Sequence, residues 1–457
     1  ISYTPNELYC DDTAMRIARY PTVDNLTVES VLDTGSNGFT DSAATYRPFA
    51  IKVDDERIKS WTNAENALMY GHWKYLWANQ SVPIASIEDD IITSKYPAAF
   101  GVDEDCDFYV YNLIEELDSP GEYYIDDGIL YIYPSQGNGD FELSTEKQPL
   151  ISIDSCKNIT IDGIRMKNTS SNAIFCSDAE NVYIKNCEIY NTADYAIEMS
   201  GKNSGIENCY LHDVDGGINI SGGDRKTLTS ANLYVNNCEI KNFSRLTKTY
   251  TPGIYAHGVG LNITNNELHG SEHLAIEWFG NNNTFAYNEI YDVCLNADDA
   301  GAIYAGKDPV AFGNEFMYNY IHDIGAKEYT DRNVYGIYMD DGQYGGHIYG
   351  NIFENITGDG IHHAGRESVI ENNVFINMKK SVFYSYRDGT ALVQNLPEYY
   401  DSKIWTDTFA NAKNIKLYMT KDGWNKGHIL KNNVLVNTAS MWCNDLRIGT
   451  QNVSEYI

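Results

Sequence analysis

Basic residues are scarce in this chain of 457 residues, which has 33 Lys and Arg against 64 Asp and Glu and a formal net charge of −31. A field of that sign repels the phosphates of nucleic acids and the anionic surfaces of membranes. The sequence also lacks any apolar run of the roughly 18 residues that a membrane helix needs. We therefore expect neither nucleic acid nor a membrane among the partners of this protein.

Motifs for metals and disulfides are absent as well. The nine cysteines are odd in number and include no Cys-x-x-Cys pair, which argues against a zinc site and a complete disulfide framework. No Asp-x-Asp-x-Asp-Gly loop, the pattern that binds calcium in EF-hands, is present. We expect no cofactor, although a chain this acidic has room for a structural calcium ion at its turns.

A four-residue motif recurs from about residue 150 onward, with a shortest repeat of 22 residues (187 to 209, 266 to 288, 351 to 373). The second position of the motif is either cysteine or asparagine. We expect the cysteines to be buried and each asparagine to hydrogen-bond to the equivalent residue of the next repeat. These second positions are Cys187, Cys209, Cys238, Asn266, Asn288, Asn319, Asn351, Asn373 and Asn433.

Short alternating segments lie between these motifs. Each has a central isoleucine, at positions 174, 197, 218, 254, 276, 303, 337 and 361. Two or three period-two strands in every 22 residues, separated by Asn, Gly and Asp, favour a parallel β-helix. Successive coils of that fold stack at about 4.8 Å, so equivalent residues form columns. The predicted fold class is therefore all-β, with a β-helix over 146–457 that leaves the coil at about 387–428.

The first 145 residues do not contain this repeat. Two alternating runs, 121–125 and 129–133, flank Asp126-Asp127-Gly128 and predict a β-hairpin, because Asp-Gly between such runs favours a tight turn. We interpret 1–145 as a β-rich accessory module and 146–457 as the catalytic domain.

One column of the β-helix is chemically distinctive. If the central isoleucine of each strand points into the core, the next residue points outward, and these outward residues include Tyr255, Glu277, Tyr304, Tyr338 and His362. Aromatic rings stack on sugar rings, and carboxylates accept hydrogen bonds from sugar hydroxyls. The column predicts a groove for an extended sugar chain.

Acidic pairs lie beside this column, at Asp298-Asp299 and at Asp340-Asp341. Glycosidic cleavage needs one protonated carboxyl for the leaving oxygen and one ionised carboxylate as nucleophile or base. Two acids on adjacent coils supply both, since like charges raise one pKa. Acidic pairs are also common in β-helix turns, so they indicate a site only together with other evidence.

Several segments resemble right-handed β-helix glycoside hydrolases of bacteria, above all family 141. Residues 299–308, 336–341 and 364–367 resemble its signatures D-x-G-A-I-Y-x-G-R-D, Y-L-D-D and G-G-R-D, and 115–124 and 222–228 resemble two further blocks. The resemblance implies a right-handed, single-stranded β-helix. It also implies a glycoside hydrolase that acts on an oligosaccharide or polysaccharide of plant or host origin and is secreted, periplasmic or at the cell surface. Activities known in the family are α-L-fucosidase and xylanase.

The resemblance also implies site residues, with Asp299 and Asp340 matching the catalytic pair. Lys307 stands where the family has arginine, which changes the contact because lysine cannot bind in a bidentate manner. The family has further β-helix before the equivalent of residue 1, which implies a fragment or a second polypeptide that completes the coil. The expected substrate-binding residues are Glu277, Tyr304, Lys307, Tyr338, Asp341 and His362.

The spacing of the two aspartates conflicts with a straight strand. Asp299 lies four residues before Ile303, whereas Asp340 lies three residues after Ile337, which predicts opposite ends of the sheet. Glu277 and Asp292 are therefore reserve catalytic acids. The spacing of Asp292 and Asp299 resembles that of β-helix lacto-N-biosidases, an alternative substrate class.

Two other functions use the same fold. A polysaccharide lyase needs a basic residue to abstract a proton, usually beside calcium, and the groove column contains no Lys or Arg. A non-catalytic glycan-binding solenoid would keep the tyrosines and tolerate the loss of every aspartate.

Overall fold

The computed structural model describes residues 6–62, 64–135, 139–327, 331–421 and 423–444. The chain forms two compact units, Ile1–Thr145 and Glu146–Ile457. No helix of the described ranges is long and apolar enough to cross a membrane.

The N-terminal unit is built from a sheet of eight strands and two sheets of three strands. Its main core packs Trp61, Trp73 and Phe108 with aliphatic side chains. The strands are Leu8–Cys10, Thr13–Ala14, Arg16–Ile17, Arg19–Tyr20, Leu26–Thr27, Ser30–Asp33, Ala50–Lys52, Leu68–Gly71, Gln80–Glu88, Ile91–Ser94, Asp107–Tyr111, Glu122–Asp126, Ile129–Tyr133 and Phe141–Leu143. Short 3-10 helices span Ala43–Thr45, Glu56–Ser60, Ala64–Asn66 and Ile114–Glu116.

The predicted hairpin is present in this unit. Glu122–Asp126 pairs antiparallel with Ile129–Tyr133. Its turn residues Asp127 and Gly128 have φ of 45° and 77°. Both values are positive, which is the backbone that a two-residue turn between twisted strands requires.

The C-terminal unit is a parallel β-helix, as predicted. In the described part of this unit, 28 strands pair in one continuous order, each with the equivalent strand of the next coil, and they form three faces, A, B and C. Three long strands pass round a corner: Ile174–Lys185 belongs to faces A and B, whereas Glu188–Lys202 and Tyr210–Gly222 belong to faces C and A.

The remaining strands belong to one face each. Face A contains Ile151–Asp154, Ile254–Val259, Ile276–Asn281, Ala300–Gly306, Val334–Asp340, Asp359–His363, Lys380–Tyr384 and Trp442–Asn444. Face B contains Lys157–Asp162, Gly205–Glu207, Tyr234–Asn236, Asn262–Thr264, Thr284–Ala286, Glu315–Met317, His347–Tyr349, Val369–Glu371 and Ile429–Lys431. Face C contains Arg165–Thr169, Glu239–Lys241, Glu267–His269, Glu289–Tyr291, Tyr320–His322, Ile352–Glu354, Val374–Ile376 and Val434–Val436.

The corner between faces B and C carries the predicted asparagine column. Asn319 Nδ2 donates to Asn351 Oδ1 at 2.9 Å, and Asn288 Nδ2 donates to Asn319 Oδ1 at 3.0 Å. Each amide also donates to a main-chain carbonyl of the preceding coil, such as that of Phe285 for Asn319. The cysteines of the same column, including Cys238, are buried. The amides therefore satisfy polar groups that the corner would otherwise bury unpaired.

The excursion lies between Lys380–Tyr384 and Ile429–Lys431. It contains 3-10 helices Gly389–Asn395 and Ala412–Asn414 and α-helices Lys403–Thr408 and Ile415–Tyr418. Trp405 and Trp424 are fully buried, and Trp405 Nε1 donates to the carbonyl of Arg225 at 3.0 Å. The segment is thus packed against the coils of the β-helix.

Candidate functional site

The outward column of face A runs through five adjacent strands. Tyr255, Glu277, Tyr304, Tyr338 and His362 are aligned one after another by strand register. The isoleucine before each of them is fully buried, as the alternation predicts. Tyr255, Glu277 and Tyr304 are half-buried, so this part of the column reaches solvent.

The end of the column differs from the expected solvated groove. Tyr338 is 2% exposed and His362 is 6% exposed. The His362 ring lies 4.5 Å from the Tyr335 ring and 5.0 Å from the Phe383 ring, and Nε2 is 2.9 Å from Ser385 Oγ. His362, predicted to contact substrate, is instead enclosed by aromatic rings because its neighbours on face A are also bulky.

Asp299 stands just before the strand Ala300–Gly306, with a left-handed backbone (φ 56°). Its side chain is exposed on one side. On the other side Oδ1 accepts a hydrogen bond of 2.7 Å from the hydroxyl of the buried Tyr338. The left-handed residue and this hydrogen bond bring the carboxyl toward the column.

Asp340 ends the strand Val334–Asp340 and lies opposite Gly306 in the register. A Cβ at Gly306 would lie 3.1 Å from Tyr304 Oη, so the glycine leaves room for the hydroxyl beside Asp340. Tyr304 Oη donates to Asp340 Oδ2 at 3.4 Å, and the nearby Tyr338 side chain lowers the pKa of Asp340.

The conflict in strand position is therefore resolved by Tyr338. Asp299 and Asp340 do lie at opposite ends of adjacent strands, yet the Tyr338 hydroxyl donates to Asp299, and both Tyr338 and the charge of Asp299 act on the pKa of Asp340. The two carboxyl groups are therefore close enough to interact electrostatically. The structure thus brings the two aspartates together through a side chain rather than through a bend of the main chain.

Cations surround the second acidic pair. Arg387 Nη2 lies 2.5 Å from Asp341 Oδ1 and 3.3 Å from Asp340 Oδ1. Lys307 Nζ lies 3.7 Å from Asp341 Oδ2, and its side chain is 70% exposed. Asp341 is thus held mainly in ion pairs, and Lys307 can still reach a substrate.

Both aspartates have raised pKa values. Neighbouring protein atoms desolvate the Asp299 carboxyl and raise its pKa, even though the residue has a large accessible area, while the hydrogen bond from Tyr338 lowers it. Burial, followed by the charges of Asp341 and Asp299, raises the pKa of Asp340, and Tyr338 and Arg387 oppose that shift. Desolvation and the charges of neighbouring carboxylates therefore raise the pKa values of both aspartates.

Glu277 differs from the two aspartates. Within the described ranges, its carboxyl has no hydrogen-bond or ion-pair partner. Desolvation alone raises the pKa of Glu277 to about 7. A carboxyl group in this position is partly protonated at neutral pH.

Two residues of the site were not predicted from the sequence. Tyr250, on the insertion before Ile254–Val259, has its ring 5.9 Å from that of Tyr304 and interacts electrostatically with Asp340, Glu277 and Asp299. Arg387 comes from the excursion. Neither belongs to the 22-residue repeat, so periodicity gave no signal for them.

Asp292 lies in a different environment. It follows the face C strand Glu289–Tyr291, has a left-handed backbone (φ 48°) and is exposed. Its main-chain N–H donates to the carbonyl of Asp323 at 3.1 Å, the equivalent turn of the next coil. This is the geometry of a corner residue, and no contact described here connects Asp292 with Tyr338. In the described ranges, no group of three or more His, Cys, Asp or Glu is arranged to hold a metal ion.

The family of the chain follows from its β-helix. The model for the right handed β helix region matches residues 149–240 and 228–396, which together cover more than half of the chain, and the protein belongs to this family. No curated protein sequence matches it.

Solved structures are similar to this chain at low sequence identity. One described as a glycoside hydrolase has a TM-score of 0.55 and 14% identity over 81% of this chain and 76% of its own. A tailspike protein of the E. coli bacteriophage HK620 has a TM-score of 0.36 and 11% identity, over 64% of this chain and 57% of its own. A GH87 α-1,3-glucanase from Streptomyces thermodiastaticus has a TM-score of 0.33 and 10% identity, over 82% of this chain and 91% of its own. The similarity to the first of these structures shows the fold alone, and membership of family 141 stays a prediction.

Proposed function

We propose that this protein is a glycoside hydrolase that cleaves a glycosidic bond in an oligosaccharide or polysaccharide, with Asp299 and Asp340 as its essential carboxyl pair. The observation that carries the proposal is that two carboxyls, Asp299 bonded to the Tyr338 hydroxyl and Asp340 bonded to the Tyr304 hydroxyl, interact electrostatically on an outward face lined by tyrosines. Two carboxyl groups held this close are what hydrolysis of an acetal needs.

The surroundings of the pair support binding of a sugar. Tyr255 and Tyr304 offer half-buried rings on the same face, and Tyr250 projects from the adjacent insertion with 40% of its surface exposed. Lys307 is free to contact hydroxyl or carboxylate groups on one side of the pair. Aromatic rings with a few polar groups are the usual lining of a sugar site.

Arg387, the basic residue that contacts both Asp340 and Asp341, does not favour a lyase. Arg387 lies close enough to serve as a base, but its guanidinium is paired with Asp340 and Asp341. Arginine stays protonated in proteins, so this side chain cannot abstract a proton. The similarity in fold to a structure described as a glycoside hydrolase agrees with the proposal, and we further propose family 141 and a location outside the cytoplasm.

A substrate screen followed by two substitutions tests the function. Aryl glycosides and plant or host oligosaccharides are incubated with the full chain, and products are analysed for new reducing ends. D299N and D340N are each expected to lower turnover by a factor of about 10² to 10⁴, because each removes an ionisable group from the reacting centre.

The matched control is D178N, which changes an exposed aspartate with a left-handed backbone at another corner of face A. It is expected to keep wild-type turnover. Unsaturated products would identify a lyase, and near-normal turnover of D299N or D340N would remove that residue from the mechanism. Tight glycan binding by a wild-type chain that cleaves nothing would indicate a binding protein.

A further inference from the structure

Glu277 occupies an aromatic enclosure at the centre of the outward column. Strand register places Tyr255 on one side of it and Tyr304 on the other. Tyr195 and Tyr250 are close enough to interact with its charge. The titratable groups that face it are thus four tyrosines, which stay neutral and cannot stabilise a carboxylate as a cation would.

The two aspartates have the opposite kind of environment. Asp299 accepts a hydrogen bond from Tyr338, and Asp340 accepts hydrogen bonds from Tyr304 and Arg387. Donors of this kind stabilise the ionised form of a carboxyl group. When neighbouring carboxyls have such different surroundings, their surroundings assign which one carries the proton.

Glu277 lies on the same outward face as Asp340. The register puts its Cα two strand spacings from that of Asp340 and two residues away along the strand, which corresponds to about 12 Å. Both side chains leave face A in the same direction, and Tyr304, which contacts Asp340, lies on the strand between them. A sugar residue above Tyr304 would have Glu277 on one side and the aspartates on the other.

We propose that Glu277 is the proton donor of this site and that Asp299 and Asp340 act together on the water side. The assignment rests on the proposed hydrolase function and adds a third catalytic residue to it. The Glu277 carboxyl gives its proton to the glycosidic oxygen while the bond from that oxygen to the anomeric carbon breaks and its electron pair stays on the oxygen. A water molecule then forms the new bond to the anomeric carbon and leaves its proton on the aspartate pair.

The test compares two leaving groups in the variant E277Q. A 2,4-dinitrophenyl glycoside of the sugar found in the screen leaves without protonation, whereas the matching alkyl glycoside or oligosaccharide needs it. E277Q is expected to lose at least about 100-fold in kcat/KM on the poor leaving group and to stay within about threefold of wild type on the activated one. Retained turnover of the activated substrate also shows that the variant is folded.

The pH profile gives a second readout. Since donation requires the protonated form, kcat/KM of the wild type on the poor leaving group should fall as the pH rises through about 7, the pKa of Glu277. E277Q should lack this alkaline limb on the activated substrate. A wild-type profile without the limb would contradict the assignment.

E198Q is the matched control, because Glu198 belongs to the same outward column three strands away and its pKa is likewise raised by burial. Its ratio of rates on the two substrates should equal the wild-type ratio. Equal losses of E277Q on both substrates would overturn the proposal, as would a leaving-group dependence that appears in D299N or D340N instead. A wild-type chain that hydrolyses no glycoside would overturn the hydrolase function itself, which is a separate result.

Discussion

The side chain of Tyr338 acts on both carboxyl groups of the site, as a donor to Asp299 and as a neighbour that lowers the pKa of Asp340. Its ring is packed 4.6 Å from that of His362 and 4.7 Å from that of Tyr335, so its Oη is held in place beside Asp299. The aromatic residues beneath it, including the histidine expected to bind substrate, therefore position the hydroxyl. Precise placement of this kind is what a catalytic pair requires from its supporting residues.

The substitution Tyr338→Phe tests the role of the hydroxyl group, because it removes that group and nothing else. The variant keeps the ring and its packing but removes the hydrogen-bond donor to Asp299, and hydrogen bonds to charged groups contribute about 1.5 to 3 kcal/mol. We expect kcat to fall by about ten- to a hundredfold. Steady-state kinetics on the screened glycoside, with a thermal melt to verify folding, measures this; an unchanged kcat would show that the hydroxyl has no part in the reaction.

At the scale of an element, the asparagine column stabilises the corner between faces B and C. Asn319 donates to Phe285 and Asn351 and accepts from the main chain and side chain of Asn288. Replacing it with alanine leaves a buried carbonyl and a buried N–H without partners.

We expect N319A to lower the free energy of unfolding by about 2 to 6 kcal/mol, given about 1 to 3 kcal/mol for each of the two unsatisfied groups. C238N is the comparison, because Cys238 occupies the equivalent position and its N–H already donates to Asn266 Oδ1 at 3.0 Å. It extends the column by one amide and should cost far less. Denaturant unfolding of both variants measures the difference, and equal losses would mean that the amides act only as space-filling groups.

Much of the fold could be predicted because it is periodic. The column at Cys238 and Asn319 and the outward residues such as Tyr304 recur every coil, so their positions in the sequence determine their environment. The pairing of Asp299 with Asp340 was suggested by family resemblance, but strand spacing alone argued against it. A side-chain bridge such as Tyr338 has no signal in the spacing of main-chain positions.

The parts that could not be predicted come from insertions. Arg387 and Tyr250 reach the site from segments without a repeat, and the short helices around Trp405 replace coil geometry altogether. Burial of His362 depends on which side chains flank it on three adjacent strands. Such contacts are decided by packing in three dimensions, which a pattern along one strand does not encode.

At the scale of the whole molecule, charge should select among substrates. A formal net charge of −31 creates a field that slows the approach of acidic sugars, and salt screens that field with a Debye length of about 10 Å at 0.1 M. For a glycan containing uronic acids, kcat/KM should rise severalfold between 10 and 150 mM salt.

A neutral oligosaccharide of the same linkage is the control and should show no such rise. The measurement needs only initial rates on the two substrates at several salt concentrations. A salt-independent rate on the acidic glycan would show that local cations such as Lys307 outweigh the overall field at the site.

The asparagine column affects how a protein with this fold can evolve. Asn351 and Asn373 are 22 residues apart, and Asn373 and Asn433 are 60 apart, yet both pairs make the same 3.0 Å amide contact. The contact between neighbouring amides is therefore the same whether a short or a long segment connects the two coils. Loops beside the tyrosines can therefore be gained, lost or exchanged with those of a homologue while the β-helix keeps its structure. Loop exchange is thus the natural route to altered specificity.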